Sequence, residues 1–175
     1  MLENGVRVTV RAATPADLPA LIAIKGENSE AVHRDRLGDA QAPSFRYLVL
    51  VVGGAVIGFA CLVMRRPAYW SDGNDPTHLP QIVDLQVAAE QRSRGYGATF
   101  IQVMEQMTVE AGYRYLYISV EPVTNPRAYA LYQRLGYQPL HPAPYAKRWT
   151  LTDSAGTIHQ GKAWVVDMRK ELATG

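Results

Sequence analysis

The chain has 175 residues, of which 47% are hydrophobic and 19% charged, and its formal net charge is +2 at pH 7. This length suits one globular domain, so we expect a single domain over residues 1–175. The weak positive charge argues against nucleic-acid binding, since proteins that bind nucleic acids usually carry a clustered basic face. One cysteine excludes an internal disulfide, and four scattered histidines without ligand spacing argue against a metal site.

The N-terminal half mixes strand and helix patterns. Four strands are predicted from alternating or continuous apolar runs, at 6–11, 47–52, 55–64 and 82–87. After the first strand, Thr14 and Pro15 supply the cap and first-turn proline of a helix start, and a second short helix is predicted around residues 30–37. Gly53 and Gly54 form the two-residue turn of a hairpin.

The C-terminal half continues this mixture. The predicted elements are a helix at 97–110, a strand at 115–120, a short helix at 125–136, and strands near 137 and at 163–168. Asn125 and Pro126 open the short helix, and Gly136 is a typical helix stop. This order of elements predicts a mixed α/β (α+β) sheet with helices on both faces.

The segment between the fourth strand and the long helix carries the clearest chemical signal. Gly95 and Gly97 let the backbone turn tightly before a helix N-terminus, where successive N–H groups can converge on an anion such as a diphosphate. The third glycine of a dinucleotide fingerprint is missing here, as is the Gly-Lys-Ser/Thr of a P-loop.

Two blocks of sequence resemble the GNAT superfamily of N-acetyltransferases. Residues 87–98 resemble its signature V-x-x-x-x-Q/R-x-x-G-x-G/A, and residues 125–137 resemble N-x-x-A-x-x-L-Y-x-x-L-G-F/Y. The resemblance runs from about Val6 to Tyr137 and includes the last strand. It implies an N-acetyltransferase that uses acetyl-CoA and releases CoA. It also implies a mostly antiparallel sheet of six to seven strands, splayed between the fourth and fifth.

The resemblance implies a set of cofactor-binding residues. Three strand residues would pair with the pantetheine arm like an added strand: Leu85, Gln86 and Val87. The loop would hold the pyrophosphate through Arg92, Ser93, Arg94, Gly95, Tyr96, Gly97 and Ala98. Asn125 would bond the cofactor arm, and Tyr132 would contact the cofactor and protonate the leaving thiolate.

Acetyl transfer needs a polarised carbonyl, a proton for sulfur and a neutral amine. The N–H of Val87 is our candidate for the group that polarises the thioester carbonyl by donating to its oxygen. The phenol of Tyr132 is our candidate for the group that protonates the sulfur. Asp84 is the leading candidate for the base, because relatives carry an acid at this strand position. Glu121, after the next strand, is the second, and a water chain is the third. Each acid could instead be a structural partner, Tyr132 a core tyrosine and Asn125 only a helix cap.

The acceptor is not determined by these motifs. Three variable stretches choose acceptors in this family, here at 26–43, 67–80 and 142–150, and their aromatic residues favour an amphipathic pocket. We expect a small-molecule amine, with a peptide or protein N-terminus or a lysine as the alternative. A non-catalytic acyl-CoA sensor would carry the same loop, but Tyr132 favours an enzyme.

The cellular location and the oligomeric state of the protein are less clearly indicated by the sequence than its family. No apolar run reaches the ~20 residues of a membrane-spanning helix, and the chain does not open with a signal-peptide pattern. We therefore expect a cytoplasmic protein with no membrane or nucleic-acid partner, and a homodimer is one form it can take.

Overall fold

The computed structural model describes residues 2–3, 6–65 and 78–173. These residues form nine strands: β1 (Leu2–Glu3), β2 (Val6–Ala12), β3 (Phe45–Val52), β4 (Ala55–Val63), β5 (Gln81–Val87), β6 (Tyr115–Val120), β7 (Gln138–Pro139), β8 (Tyr145–Thr152) and β9 (Ile158–Glu171). They also form four α-helices: α1 (Leu18–Lys25), α2 (Glu30–Asp39), α3 (Tyr96–Glu110) and α4 (Pro126–Arg134). None of these helices is long and apolar enough to cross a membrane.

The strands join in one sheet of order β1-β2-β3-β4-β5-β6-β9-β7, with β8 also paired to β9. Neighbouring strands are antiparallel except β5 and β6, which are parallel. These two pair only through Gln81 with Tyr117 and Ile82 with Ile118, so the sheet splits beyond this point. The predicted mixed sheet and its split are confirmed, since β5 and β6 are the strands predicted as fourth and fifth.

The described residues form nine strands rather than the expected six to seven, because two strands were not predicted. β1 is only two residues long, and β8 occupies most of the stretch 142–150 that we took for a variable loop. The last strand was predicted at 163–168 but runs over Ile158–Glu171. Lys147 interrupts the alternating set Tyr145, Trp149 and Leu151 of β8, which weakens the apolar pattern that predicts strands.

Each face of the sheet packs against its own pair of helices. On the α3/α4 face, Ile82 and Ile118 pack with Phe100 of α3 and Tyr132 of α4. On the opposite α1/α2 face, a second core is built around Leu21 of α1, with Tyr47, Phe59, Cys61 and Val63 from the strands. Burial raises the pKa of the Cys61 thiol to about 11, which suits a core residue rather than a nucleophile.

Candidate active site

A bulge in β5 directs Asp84 to the α1/α2 face. Cys61 pairs with Val83 and Phe59 pairs with Gln86, so β5 carries one extra residue across this stretch. Asp84 adopts φ of 50°, in the left-handed region that non-glycine residues seldom occupy. Bulges next to active sites commonly re-aim a side chain, and here the bulge turns a carboxylate away from the α3/α4 core.

Two cations hold the Asp84 carboxylate. Lys25 Nζ of α1 lies 2.6 Å from Oδ2, and Arg36 Nη1 of α2 lies 2.7 Å from the same oxygen. Gln86 Nε2 donates to Oδ1 at 2.8 Å. Burial alone would raise the pKa of Asp84, but the charges of Arg36 and Lys25 outweigh it and hold that pKa well below its usual range. The carboxylate is therefore a fixed anion and a weak base.

The loop after β5 presents five consecutive backbone N–H groups. Residues 93–97 donate these groups to no acceptor among the described residues. Arg92 and Ala98, the predicted pyrophosphate binders at the two ends of this loop, differ from residues 93–97 because their N–H groups are already bonded. The Arg92 N–H donates to Ala89 O at 3.3 Å, and the Ala98 N–H donates to Gly95 O at 2.9 Å. Ser93 and Gly95 have φ of 64° and 87°. Left-handed residues just before a helix start can turn successive N–H groups toward one anion, an arrangement called a nest.

Contacts with β5 and α4 hold this nest in place. Arg92 Nε donates to Val87 O at 2.9 Å, and Arg127 of α4 donates to the hydroxyl of Ser93. A Cβ placed on Gly97 would lie 3.5 Å from Leu131 Cδ2, an ordinary contact between α3 and α4. The second sequence block is thereby brought beside the first.

The backbone of Val87 faces the gap between β5 and β6. The Ala88 N–H donates across to Ile57 O of β4 at 2.8 Å. Because successive residues of a strand direct their backbone groups to opposite sides, the N–H and C=O of Val87 point away from β4. The neighbouring Leu85 packs against the α3/α4 core.

Tyr132 lies in α4 and is 6% exposed, with its ring centroid 6.1 Å from that of Tyr137. Its hydroxyl hydrogen-bonds none of the described residues. Burial raises the pKa of Tyr132 to about 12, so the phenol carries its proton at neutral pH. That is the state a proton donor needs.

Asn125 and Glu121 shape the entry to α4. Asn125 Oδ1 accepts from the Ala128 N–H at 3.2 Å, which confirms the predicted cap. Glu121 Oε2 accepts from Thr124 Oγ1 at 3.1 Å, and its C=O accepts from the Asn125 N–H. The structure therefore separates the two candidate bases, with Glu121 at a turn and Asp84 between two cations.

The family follows from the match of residues 15–137 to the acetyltransferase (GNAT) family. This chain belongs to the GNAT acetyltransferase family. It is an N-acetyltransferase that uses acetyl-CoA and acts on an amine, as the two sequence blocks predicted. None of the curated proteins compared with the sequence matches it.

Solved structures of other acetyltransferases share the fold. A ribosomal-protein-alanine N-acetyltransferase from Brucella melitensis is 21% identical, with TM-score 0.64 over 94% of this chain and 99% of its own. A phosphinothricin acetyltransferase from Sinorhizobium meliloti, solved with acetyl-CoA, is 20% identical, with TM-score 0.66 over 96% and 90%. YncA from Salmonella typhimurium, also solved with acetyl-CoA, is 17% identical, with TM-score 0.62 over 95% of both chains.

This acetyltransferase has a second buried polar cluster beside the split, which sequence reasoning missed. Ser119 follows the last residue of β6 that pairs with β5, and Asp167 lies opposite it on β9. Asp167 accepts hydrogen bonds from Ser119, from Tyr145 and, at 3.3 Å, from Lys147 Nζ. Lys147 Nζ also donates to Ser119 Oγ at 2.9 Å. We call these four residues the Asp167 cluster.

The Asp167 cluster lies on the same face as Asp84. Gln81 Nε2 donates to Ser119 Oγ at 3.2 Å, and Val83 of the same strand packs in the α1/α2 core. The sequence signal that could have indicated this cluster is Ser119, a polar residue in a largely apolar strand. Much of the predicted acceptor stretch 67–80 lies outside the described residues.

Proposed function

We propose that this enzyme transfers the acetyl group to the primary amine of a small molecule, by direct attack while both substrates are bound. The observation that carries the proposal is the split between β5 and β6. The N–H nest at the start of α3 lies at one side of this split, and two polar clusters lie on the α1/α2 face. Cofactor and acceptor can therefore approach the same gap from opposite faces.

The nest fits the pyrophosphate of CoA, because five consecutive N–H groups at a helix start have no acceptors among the described residues. Residues 93–97 would hold the pyrophosphate, with the Arg94 side chain exposed beside them. Residues 85–87 would pair with the pantetheine arm, and Asn125 would bond it from α4. When bound, acetyl-CoA supplies the activated acetyl thioester.

Two groups of the chain are suited to the charges that develop during transfer. The Val87 N–H points into the gap, where it can donate to an oxygen that gains negative charge. The Tyr132 hydroxyl, protonated and without a described partner, can donate its proton to sulfur.

The remaining task is to remove the proton of the amine. Efficient general bases have a pKa near the working pH, whereas Arg36 and Lys25 hold the pKa of Asp84 far below it. Glu121 is engaged at the turn into α4. We therefore favour a water chain as the proton path. In this scheme Asp84, neutralised by Lys25 and Arg36, anchors β5 and takes no proton from the amine.

The polar setting supports a small acceptor over the alternative of a protein N-terminus or lysine. On the described part of the α1/α2 face, each buried acid is paired with cations, Asp84 with Lys25 and Arg36 and Asp167 with Lys147. Such internally paired charges give a polar pocket rather than a large field of one sign that would attract a charged polypeptide.

An acceptor screen tests this proposal. Release of free CoA is measured with acetyl-CoA and a broad library of small amines, and in parallel with peptides bearing a free N-terminus or a lysine. We expect small amines to raise release above the amine-free rate more than any peptide does. Faster turnover of peptides would favour the alternative acceptor, and binding without turnover would favour an acyl-CoA sensor.

A further inference from the structure

The phenol of Tyr132 is held in place without a hydrogen bond to its hydroxyl. That hydroxyl has no partner among the described residues, and the side chain is 6% exposed. A proton donor must still reach hydrogen-bond distance of the atom that takes its proton. The direction of the hydroxyl must therefore be set by the backbone of α4 and by the groups that pack against the ring.

Tyr137 holds Tyr132 through both its backbone and its ring. The Tyr137 N–H donates to Tyr132 O at 3.0 Å, a bond that closes α4 where Gly136 adopts φ of 91°. The planes of the two rings meet at 58°, and their centroid distance of 6.1 Å lies in the range of aromatic contacts. Because Tyr137 is fully buried in a close-packed core, its ring is a rigid support for Tyr132.

Lys170 of β9 lies over the ring of Tyr137. Its Nζ is 5.8 Å from the ring centroid, within the distance at which a cation is attracted to an aromatic face. The same Nζ lies 2.7 Å from Glu105 Oε2 of α3. A Cβ placed on Gly136 would lie 3.8 Å from Lys170 Cε, so the stem of this lysine runs beside the turn that ends α4.

These contacts join α3, α4 and β9 next to Tyr132. The side chains of Glu105 and Lys170 are only 12% and 25% exposed, so water and salt screen this ion pair less than an exposed one. Burial is the cause of the raised pKa of Tyr132. Lys170 therefore acts on the position of the Tyr132 ring, through Tyr137, rather than on its affinity for the proton.

We infer that Tyr137 and Lys170 are positioning residues for the proton transfer to sulfur. Glu105 anchors Lys170 over the ring of Tyr137, and this ring directs the phenol of Tyr132. The ring of Tyr137 performs this role, and its hydroxyl is not needed for it. The inference rests on the proposed function, in which Tyr132 protonates the leaving thiolate.

Substitutions at Lys170 test the inference. Lys170→Met removes the charge and keeps most of the stem, whereas Lys170→Arg keeps the charge. Arg169→Met is the matched control. Arg169 is the neighbouring residue of β9 and points to the opposite face, where its guanidinium lies 4.6 Å from the ring centroid of Tyr115. Glu105→Gln removes the anchor of Lys170 with almost no change of shape, and it replaces Lys170→Met if that variant does not fold.

The rate is measured with saturating acetyl-CoA and any amine that the acceptor screen identifies. We expect Lys170→Met to lower kcat by roughly ten- to a hundredfold, the effect of displacing a reacting group by about 1 Å. The KM of the amine and the Kd of acetyl-CoA should stay within about twofold of the wild type, because neither ligand contacts Lys170 in the proposed function. Lys170→Arg should restore most of kcat, and Arg169→Met should keep all of it.

A double-mutant cycle with Tyr132→Phe separates positioning from a general loss of structure. If Lys170 acts through the phenol of Tyr132, Lys170→Met should lower kcat no further once that hydroxyl is gone. A structural defect would lower kcat in both backgrounds by the same factor.

The outcomes distinguish the inference from the function on which it rests. Equal losses in both backgrounds would overturn the positioning role, as would an unchanged kcat of Lys170→Met with chemistry shown to be rate-limiting. In either case a large loss in Tyr132→Phe alone would leave the proposed proton donor intact. Full turnover by Tyr132→Phe would instead refute that donor, and the inference with it.

Discussion

Asp84 of β5 and Arg36 of α2 form a partly buried ion pair, with Arg36 Nη1 2.7 Å from Asp84 Oδ2. Lys25 of α1 shares the same oxygen at 2.6 Å. The pair ties β5, which would border the proposed cofactor site, to helix α2 on the proposed acceptor side. It also holds a residue with φ of 50° in place, so the bulge and the ion pair depend on each other.

Asp84→Asn tests whether the carboxylate is a base or an anchor. Removing the charge leaves Arg36 and Lys25 without their partner, which costs roughly 3 kcal/mol of stability for a buried pair. Activity should fall by a similar factor at every pH between about 6 and 9, because the carboxylate is ionised throughout that range. The measurements are urea unfolding and a kcat/KM profile against pH.

Recovery of the Asp84→Asn rate at high pH would contradict the anchor role. At high pH more of the amine is already neutral, which partly compensates for the loss of a general base. Such recovery would therefore assign Asp84 the role of general base. Lys25→Met is the companion variant, because it weakens the same ionic cluster without touching the carboxylate.

Gly95→Ala should weaken CoA binding, as seen by isothermal titration. Gly95 has φ of 87° in the nest, so a Cβ strains the conformation that gathers the N–H groups. We expect Kd to rise about fivefold, because about 1 kcal/mol of strain shifts the nest away from the conformation that binds the pyrophosphate.

Gly112→Ala is the matched control for the nest. Gly112 has φ of 84° and nothing within 4 Å of a built Cβ, so it carries similar strain away from the nest. Its CoA affinity should equal that of the wild type. If both alanine variants bind CoA equally well, the nest is not the phosphate site.

Tyr132→Phe should lower turnover by roughly 10²–10⁴-fold, the range for a lost acid catalyst. Stability and CoA binding should change little, because the hydroxyl has no partner among the described residues. Tyr137→Phe, whose ring packs against Tyr132, is the control and should keep its turnover. Equal turnover of both variants, with chemistry shown to be rate-limiting, would remove Tyr132 from the mechanism.

Stability should fall as the pH drops from about 6.5 to about 4, in part through His33. Burial and the charges of Arg36 and Lys25 lower the pKa of His33 to about 4 in the folded protein. The unfolded chain, with a pKa near 6.5, therefore binds a proton first, which removes at most about 3 kcal/mol of stability across this window. A His33→Gln variant should show a shallower slope of unfolding free energy against pH, and an unchanged slope would exclude this contribution.

The sequence predicted the parts of this enzyme that depend on local pattern. Gly95 before α3 indicates a nest because its positive φ favours glycine, and Asn125-Pro126 indicates a helix start because Asn caps and Pro suits the first turn. The partners of Asp84 were not predictable in this way. Lys25 and Arg36 are distant in the chain, and the bulge that points Asp84 at them arises from pairing with β4.

Strand β8 was missed for a related reason. Lys147 interrupts the alternating apolar residues of β8, and the strand conformation depends on pairing with β9 along its whole length. The Asp167 cluster likewise joins three strands, and no spacing in the sequence brings Ser119, Lys147 and Asp167 together.

The most direct test of the account is mass spectrometry of a small-amine mixture after incubation with acetyl-CoA and the wild-type enzyme. We predict an acetylated amine whose amount matches the free CoA released, with roughly a hundredfold less of it, or lower still, from Tyr132→Phe in the same time. CoA release without any acetylated amine, or an acetylated peptide as the sole product of a mixture containing both, would contradict a small-molecule acetyltransferase.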